Sequence, residues 1–278
     1  MSILSALHRT DPRVREADGW DRQSVAERAR RTASGNLLRL LPQTGPRPGL
    51  ADAPERPRFE FKAVAPSWML ADLMAWLLVQ PDGFHVRHPQ RRINSIYFDT
   101  VDLQRYTENL SGASERSKAR LRWYGRDASA AKLVFEAKRK RNKLGWKDTQ
   151  RIPGRVDMVG TSWRDLNATL RGALRGQLRL VFDMAGGPVL CNSYDREYYA
   201  SDDDIVRITI DRDIRAYDQR GTDRPNLTRP CLQDDIIVVE VKADAANGDR
   251  VAETMATLPL RVTRHSKYAA GVAAILGA

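Results

Sequence analysis

Charged residues recur at every second position in several short stretches of this chain. Arginine presents a planar fork that matches phosphate oxygens, and lysine presents a compact positive charge. Carboxylates beside such cations suit Mg²⁺ or Mn²⁺, which one or two carboxylates commonly hold together with substrate phosphates. The pattern therefore indicates a site for a polyanion and its divalent metal ion. The pairs are Glu60/Lys62, Arg120/Arg122, Glu136/Lys138 and Glu240/Lys242.

These pairs require β-strands to position them. Apolar residues occupy the intervening positions, and successive side chains of a strand point to opposite faces, so each stretch has an ionic face and an apolar face. A buried unpaired charge is costly, so the ionic face must be wet. It is either a solvated sheet face or the interior of a barrel whose outer face is covered by helices; the strongly apolar opposite rows favour the barrel. The predicted inner residues are Glu60, Lys62, Arg120, Arg122, Glu136, Lys138, Arg207, Glu240 and Lys242.

The order of elements predicts an α+β domain dominated by an antiparallel sheet, beginning near Arg58 and running to residue 278. Residues 1–57 are rich in arginine and end in a Pro/Gly-rich run, which predicts a flexible basic leader and linker with one short helix over 21–41. Strands are predicted near 58–64, 92–99, 117–125, 131–140, 146–152, 178–183, 189–199, 204–212 and 235–243. Helices are predicted over 66–80, 162–172, 249–257 and 267–276, with a turn or short helix at 103–106.

The composition limits the class of partner. The 278 residues include 46 Lys+Arg against 35 Asp+Glu, a net charge of +11, which indicates nucleic acid, a membrane surface or a phosphate-rich small molecule. No stretch has the apolar length of a membrane span, and no signal-peptide pattern opens the chain, so a cytoplasmic protein is expected. Cys191 and Cys231 are expected to be reduced, and the histidines and cysteines have no zinc-ligand spacing.

An ordered series of motifs resembles the vacuolar transporter chaperone (VTC) domain, the polyphosphate polymerase branch of the triphosphate tunnel metalloenzymes (CYTH-like). Each motif alone is weak, but eight in the right order over residues 58–272 are specific. They are Arg58-Phe59-Glu60-Phe61-Lys62, Ser95-Ile96-Tyr97-Phe98-Asp99-Thr100, Lys118-Ala119-Arg120-Leu121-Arg122-Trp123-Tyr124, Phe135-Glu136-Ala137-Lys138, Tyr194-Asp195-Arg196-Glu197-Tyr198-Tyr199, Arg207-Ile208-Thr209-Ile210-Asp211, Val239-Glu240-Val241-Lys242 and Ser266-Lys267-Tyr268.

The resemblance implies a closed eight-stranded antiparallel β-barrel with flanking helices, which forms a tunnel open at both ends. It implies an enzyme that uses ATP and Mn²⁺ or Mg²⁺ to transfer the terminal phosphate of ATP to a growing polyphosphate chain. No membrane segment or phosphate-sensing module accompanies the domain, so a link to transport, or any association with a membrane, would need a separate subunit.

The resemblance also implies roles for individual residues. The residues expected to act on the transferred phosphate are Arg120, Arg122, Lys138, Arg207 and Lys267. Those expected to bind substrate are Lys62, Lys147, Tyr194, Arg196 and Lys242, with Tyr194 beside the nucleotide. Glu240 is the expected metal-binding carboxylate, and Glu60 and Glu136 complete the predicted metal set, although Glu136 could equally serve as a partner of Lys138.

Several alternatives stay open at this stage. The wider superfamily begins with Glu-x-Glu-x-Lys, whereas Arg58 replaces the first carboxylate here, which favours the polymerase over a tunnel hydrolase of inorganic or organic triphosphates. A non-catalytic polyphosphate-binding module is the third possibility. Nucleic acid is disfavoured because aromatic residues are not interleaved with the cations. Asp99 and Asp211 could be turn caps or ligands, and the basic run 138–143 could be a solvated strand end or a rim that guides polyphosphate.

Overall fold

One antiparallel sheet of eight strands forms the centre of the protein and confirms the α+β class. The computed structural model describes residues 58–141 and 144–277, so the predicted leader, its helix over 21–41 and the end of the basic run 138–143 lie outside the described residues. The order across the sheet is β1-β8-β7-β6-β2-β3-β4-β5. The strands are β1 (Arg58–Pro66), β2 (His85–Asp99), β3 (Glu115–Tyr124), β4 (Val134–Arg141), β5 (Leu144–Arg151), β6 (Gly187–Ala200), β7 (Arg207–Asp218) and β8 (Ile236–Asp244).

The sheet curls into a half-barrel that is open between β1 and β5, so the predicted closed barrel is wrong. Within the described ranges, β5 pairs with β4 alone, and β1 pairs along its length with β8 alone. The other edge of β1 is occupied at one point by a crossing segment of the chain. Ala63 forms a bridge with Val262, and the Thr263 N–H donates to the Lys62 carbonyl at 2.8 Å. The backbone groups that a closing strand would need are therefore already partly used.

Within residues 58–141 and 144–277, six α-helices flank the sheet, and one of them replaces a predicted strand. The segment predicted as a strand over 178–183 is helical, because Leu178 and Phe182 lie four residues apart and bury the same helix face. In an apolar run this short, the spacing of the hydrophobic residues does not distinguish a strand from a helix. The helices are α1 (Leu70–Leu78), α2 (Gln104–Leu110), α3 (Trp163–Ala173), α4 (Gly176–Asp183), α5 (Gly248–Thr257) and α6 (Lys267–Leu276).

The apolar rows of the strands face outward and are covered by helices, as predicted. Over β2 to β5, residues such as Leu121 and Phe135 pack against α3 and α4. Over β1, β8 and β7, residues such as Val239 pack against α1 and α5. Burial of a large apolar side chain stabilises the fold by about 1.5–3 kcal/mol. These two outer layers therefore fix which strand face is left for the ionic residues.

Helix α6 lies on the opposite, concave side and covers one end of it. The Tyr268 ring packs against Tyr97 with centroids 5.0 Å apart, within an apolar cluster that includes Leu190 and Val272. The helix approaches the sheet so closely that a Cβ on Gly271 would lie 2.6 Å from a methyl of Leu190. The concave face is therefore covered at this end. In the described part of the chain, no helix has the length and apolarity that crossing a bilayer requires.

Candidate functional site

The predicted ionic row lies on the concave face of the half-barrel. Strand register places Arg120 opposite Glu136 and Arg207 opposite Lys242, and it places Lys62 opposite Glu240. The same faces carry Arg196 on β6 and Lys147 on β5. The start of α6 adds Lys267, whose amine reaches β7. Cations greatly outnumber carboxylates on this surface, which suits a polyanionic ligand.

Glu136 holds three cations in one cluster. Its carboxylate accepts from the Arg120 Nε at 2.6 Å, and it lies 3.5 Å from an Arg122 nitrogen and 3.3 Å from the Lys147 amine. Burial opposes ionisation of Glu136, but the charges of these cations hold its pKa below the ordinary value. In the described residues Glu136 contacts these cations rather than Lys138, its predicted alternative partner. It orients the two arginines before any ligand arrives.

Asp211 holds a second cluster at the other side of the concave face. It is fully buried, and both its oxygens accept from the Arg196 guanidinium, at 2.5 and 2.7 Å. The Lys267 amine lies 2.5 Å from the same carboxylate. Burial raises the pKa of Asp211, but these two cations outweigh it and hold the pKa below its ordinary value. Asp211 is therefore an ionised anchor for two predicted phosphate-binding residues and is not a turn cap.

Two carboxylates and two lysines form a third cluster on β1 and β8. The Lys62 amine lies 3.0 Å from Glu60, and the Lys242 amine lies 2.9 Å from Glu240. Burial opposes ionisation of Glu60, but the positive charges of Lys62 and Lys242 outweigh it and keep the pKa of Glu60 well below the ordinary value. Glu136 is not in this group, since Arg120, Arg122 and Lys147 hold it on the facing wall.

The same two carboxylates are the residues that fit a divalent cation. Among the described residues, no group of three His, Cys, Asp or Glu side chains converges on one point. A pair of carboxylate ligands is nonetheless what Mg²⁺ or Mn²⁺ commonly uses when substrate phosphates and water complete its coordination shell. Glu60 and Glu240 therefore fit a metal ion that binds together with a phosphorylated substrate.

Two buried polar atoms on β7 lack a partner within the described structure. These are the Arg207 Nε and the Thr209 hydroxyl oxygen. Buried polar groups are nearly always hydrogen-bonded, so each exception calls for an explanation. Arg207 and Thr209 lie on the concave face beside Lys242 and Glu240, where a bound anion would satisfy both donors.

A row of cations continues along β3 and β4 beyond the Glu136 cluster. Lys118 and Lys138 are opposite each other, and Arg116 and Lys140 follow at the next inward-facing positions. Burial, together with the nearby charges of Lys62 and Lys138, lowers the pKa of Lys118 to about 7. The Lys118 amine donates to the Ser266 hydroxyl at 2.8 Å. This basic row has few counter-charges among the described residues and extends the cationic surface along β3 and β4 toward the end at which α6 begins.

Tyr194 lies between two of the predicted phosphate-binding cations. The Arg196 guanidinium is 5.4 Å from its ring centroid, and the Lys267 amine is 4.9 Å from it, which are cation–π distances. Burial raises the pKa of the Tyr194 phenol to about 12, so the hydroxyl remains a donor at neutral pH. Tyr194 therefore lies between Arg196 and Lys267, and its place beside a bound nucleotide stays a prediction.

Sequence reasoning did not single out two residues of this site. The sequence alone does not distinguish a turn cap from a ligand at Asp211, because its ion-pair partners, Arg196 and Lys267, lie on β6 and α6. Lys118 begins the motif on β3, but its lowered pKa results from burial and from cations on β1, β3 and β4 that the sequence does not show to be close. Asp99, the other open case, accepts from the backbone N–H groups of Arg105 and Tyr106 and from the Tyr268 hydroxyl, so it caps α2 and anchors α6.

Comparison with known proteins identifies the family. The chain is 12% identical to a Vibrio parahaemolyticus protein proposed to be an adenylate cyclase, with a TM-score of 0.40 over 76% of this chain and 95% of that one. It is 13% identical to a chain of the Schizosaccharomyces pombe Mediator head module, with a TM-score of 0.39 over 74% and 96%. Neither similarity is close enough to indicate an activity. No curated protein matches. The VTC domain model matches residues 57–276, nearly the whole described chain, and the protein therefore belongs to the VTC domain family.

Proposed function

We propose that this protein is an ATP-dependent polyphosphate polymerase. The observation that carries the proposal is the length of the basic surface on the concave face. From Arg122 to Arg116 the inward-facing positions of β3 span roughly 20 Å at about 3.3 Å per residue. A triphosphate needs only part of that length. A growing phosphate chain would use all of it.

The three carboxylate-anchored clusters support phosphoryl transfer. In such reactions the protein positions the groups and neutralises charge that develops on the transferred phosphoryl oxygens. Arg120 and Arg122, already oriented by Glu136, share the concave face with Arg196 and Lys267, which Asp211 orients on the other side of β2. A phosphate between these two groups would meet cations that need little rearrangement.

The reaction needs no side-chain nucleophile. A terminal oxygen of the polyphosphate chain attacks the γ-phosphorus of ATP, the bond from that phosphorus to the β,γ-bridging oxygen breaks, and ADP leaves with the electron pair. Glu60 and Glu240 would hold Mn²⁺ or Mg²⁺, which neutralises phosphate charge when it is bound. Lys138 and the rest of the basic row would hold the acceptor chain.

Arg58 separates this proposal from a tunnel hydrolase. It occupies the position at which the wider superfamily carries a first metal-binding carboxylate, on the same strand face as Glu60 and Lys62. Two metal-binding carboxylates from β1 would favour activation of a water molecule, whereas a cation there favours retention of a polyanion. We expect ATP and polyphosphate as the ligands, in a cytoplasmic protein; any membrane subunit would be separate.

The test is an incubation of the purified protein with ATP, Mn²⁺ and a short polyphosphate primer, followed by gel analysis of chain length. Long chains and stoichiometric ADP are expected. Orthophosphate release without chain growth would replace the polymerase by the hydrolase, and binding of polyphosphate with no turnover would leave only a binding module.

A further inference from the structure

Three side chains from three strands form a stacked group at the end of the concave face that α6 leaves uncovered. The Arg91 guanidinium carbon lies 4.6 Å from the centroid of Tyr124 and 4.9 Å from that of Tyr198. The Tyr198 hydroxyl accepts from the Arg91 Nε at 2.9 Å. Tyr124 remains 43% exposed, so one face of its ring is open. Stacked aromatic and guanidinium planes of this kind are where nucleobases bind.

Strand register places this group directly beside the phosphate-binding cations. Arg91 on β2 is opposite Arg196 on β6, and Tyr198 follows Arg196 on the same face two residues later. Two residues of a strand span roughly 6.6 Å. That is about the distance that a ribose occupies between a base and its first phosphate.

The two directions along the concave face differ in chemistry. Beyond Arg196 lie Tyr198 and the exposed ring of Tyr124, whereas cations such as Lys118 and Lys138 predominate beyond Arg120. The ring beside Lys118 is that of Tyr268, which is only 2% exposed and therefore offers no open face to a base. A ligand that matches both directions has one planar aromatic end and one polyanionic end. A nucleoside triphosphate has this shape, and bare polyphosphate does not.

We propose that Arg91, Tyr124 and Tyr198 form the nucleobase subsite, in which a purine stacks on the open face of Tyr124 while Arg91 supports the opposite face. This inference rests on the proposed function, since it names where the nucleoside of the ATP substrate lies. It also sets the polarity of the site: the nucleoside lies toward Tyr124, and the growing chain leaves along the basic row on β3 and β4.

The experiment compares ADP with pyrophosphate by isothermal titration calorimetry. The two ligands carry the same number of phosphates and differ by the nucleoside. Stacking of a base on an aromatic ring is worth about 1–3 kcal/mol, so Tyr124→Ala should weaken ADP binding by roughly 5- to 150-fold. Pyrophosphate binding should be unchanged. Tyr124→Phe keeps the ring and should bind ADP as the unmodified protein does.

Trp68→Ala is the matched control. Trp68 is also an exposed aromatic residue, 73% accessible, but it precedes α1 on the outer side of the sheet, and its removal should change neither affinity. Circular dichroism of each variant confirms that the fold is retained.

The outcomes separate the two proposals. If the protein binds both ligands but Tyr124→Ala affects them equally, or affects neither, the subsite is wrong while the phosphate site stands. If the unmodified protein binds neither ligand, the proposed function and the subsite fall together. Loss of ADP binding alone, retained in Tyr124→Phe, supports the assignment.

Discussion

Replacement of Asp211 by asparagine should destabilise the protein strongly, because it removes the only carboxylate that Arg196 and Lys267 contact within 2.7 Å in the described structure. The carboxylate accepts three charge-assisted hydrogen bonds, two from Arg196 and one from Lys267. An asparagine oxygen can keep one of them, and its amide would turn a donor toward a donor. Two lost bonds at about 1.5–3 kcal/mol each predict a loss of about 3–6 kcal/mol, and breaking a buried ion pair costs about 3–5 kcal/mol. We therefore expect a loss of about 3–5 kcal/mol, where the two ranges overlap.

The assay is chemical denaturation followed by circular dichroism at neutral pH, with Asp183→Asn as the control. Asp183 pairs with Arg179 four residues earlier on α4 at 2.6 Å, but both side chains are 37% exposed. The same substitution there should cost less than about 1 kcal/mol. The proposed role of Asp211 would be refuted if the free energy of unfolding of Asp211→Asn lay within about 1 kcal/mol of that of the unmodified protein. It would also be refuted if Asp183→Asn were destabilised equally.

The loss of folding stability at low pH gives a second test of the role of Asp211. Its pKa is depressed in the folded state, so its contribution is fully present above the unfolded value, about 3.9, and is lost as pH falls through the lower folded value. The Asp211→Asn variant should therefore lose less stability below pH 4 than the unmodified protein does. Polyphosphate, which can supply the missing negative charge, should stabilise the variant more than the unmodified protein against heat.

Four further substitutions test the chemistry. Arg120→Ala and Arg207→Ala should each reduce chain synthesis by about 100- to 1000-fold with the fold retained; a folded Arg207→Ala protein with normal synthesis would remove that strand from the site. Glu240→Gln should abolish metal-dependent turnover yet leave polyphosphate binding intact or tighter, and undiminished turnover would exclude it as a metal ligand. Polyphosphate affinity should fall between pH 6 and pH 9 as Lys118, whose pKa is about 7, loses its proton. In Lys118→Arg the side chain stays charged, so the affinity should fall less over this pH range. The same pH profile in both proteins would contradict a role for Lys118 in binding.

The alternation of side chains made the inner face predictable from sequence. A strand has a period of two, so assigning Arg120 and Glu136 to one face also assigned Leu121 and Phe135 to the other, and the outer apolar clusters confirm this. The helices over 163–173 and 267–276 were also predictable, since Ser162 and Ser266 each provide the hydroxyl that caps them.

What the sequence could not provide depends on contacts between distant segments. The openness of the half-barrel follows from the bridge between Ala63 and Val262, nearly 200 residues apart along the chain. Likewise, Arg91, Tyr124 and Tyr198 lie on three different strands, and only the register of the sheet brings them together. Local propensity and period carry no information on such pairings.

Coverage of one end of the concave face by α6 bears on processivity. In the proposed reaction, a nucleotide would enter at the uncovered Tyr124 end, while the polymer would leave at the other end, along Lys138 and Lys140 on β4 beside α6. In this proposal the nucleotide and the polymer would use different ends of the concave face, so ATP would replace ADP without release of the chain. An enzyme built in this way extends one chain through many cycles, and its products should be long chains from the earliest time points, with few of intermediate length.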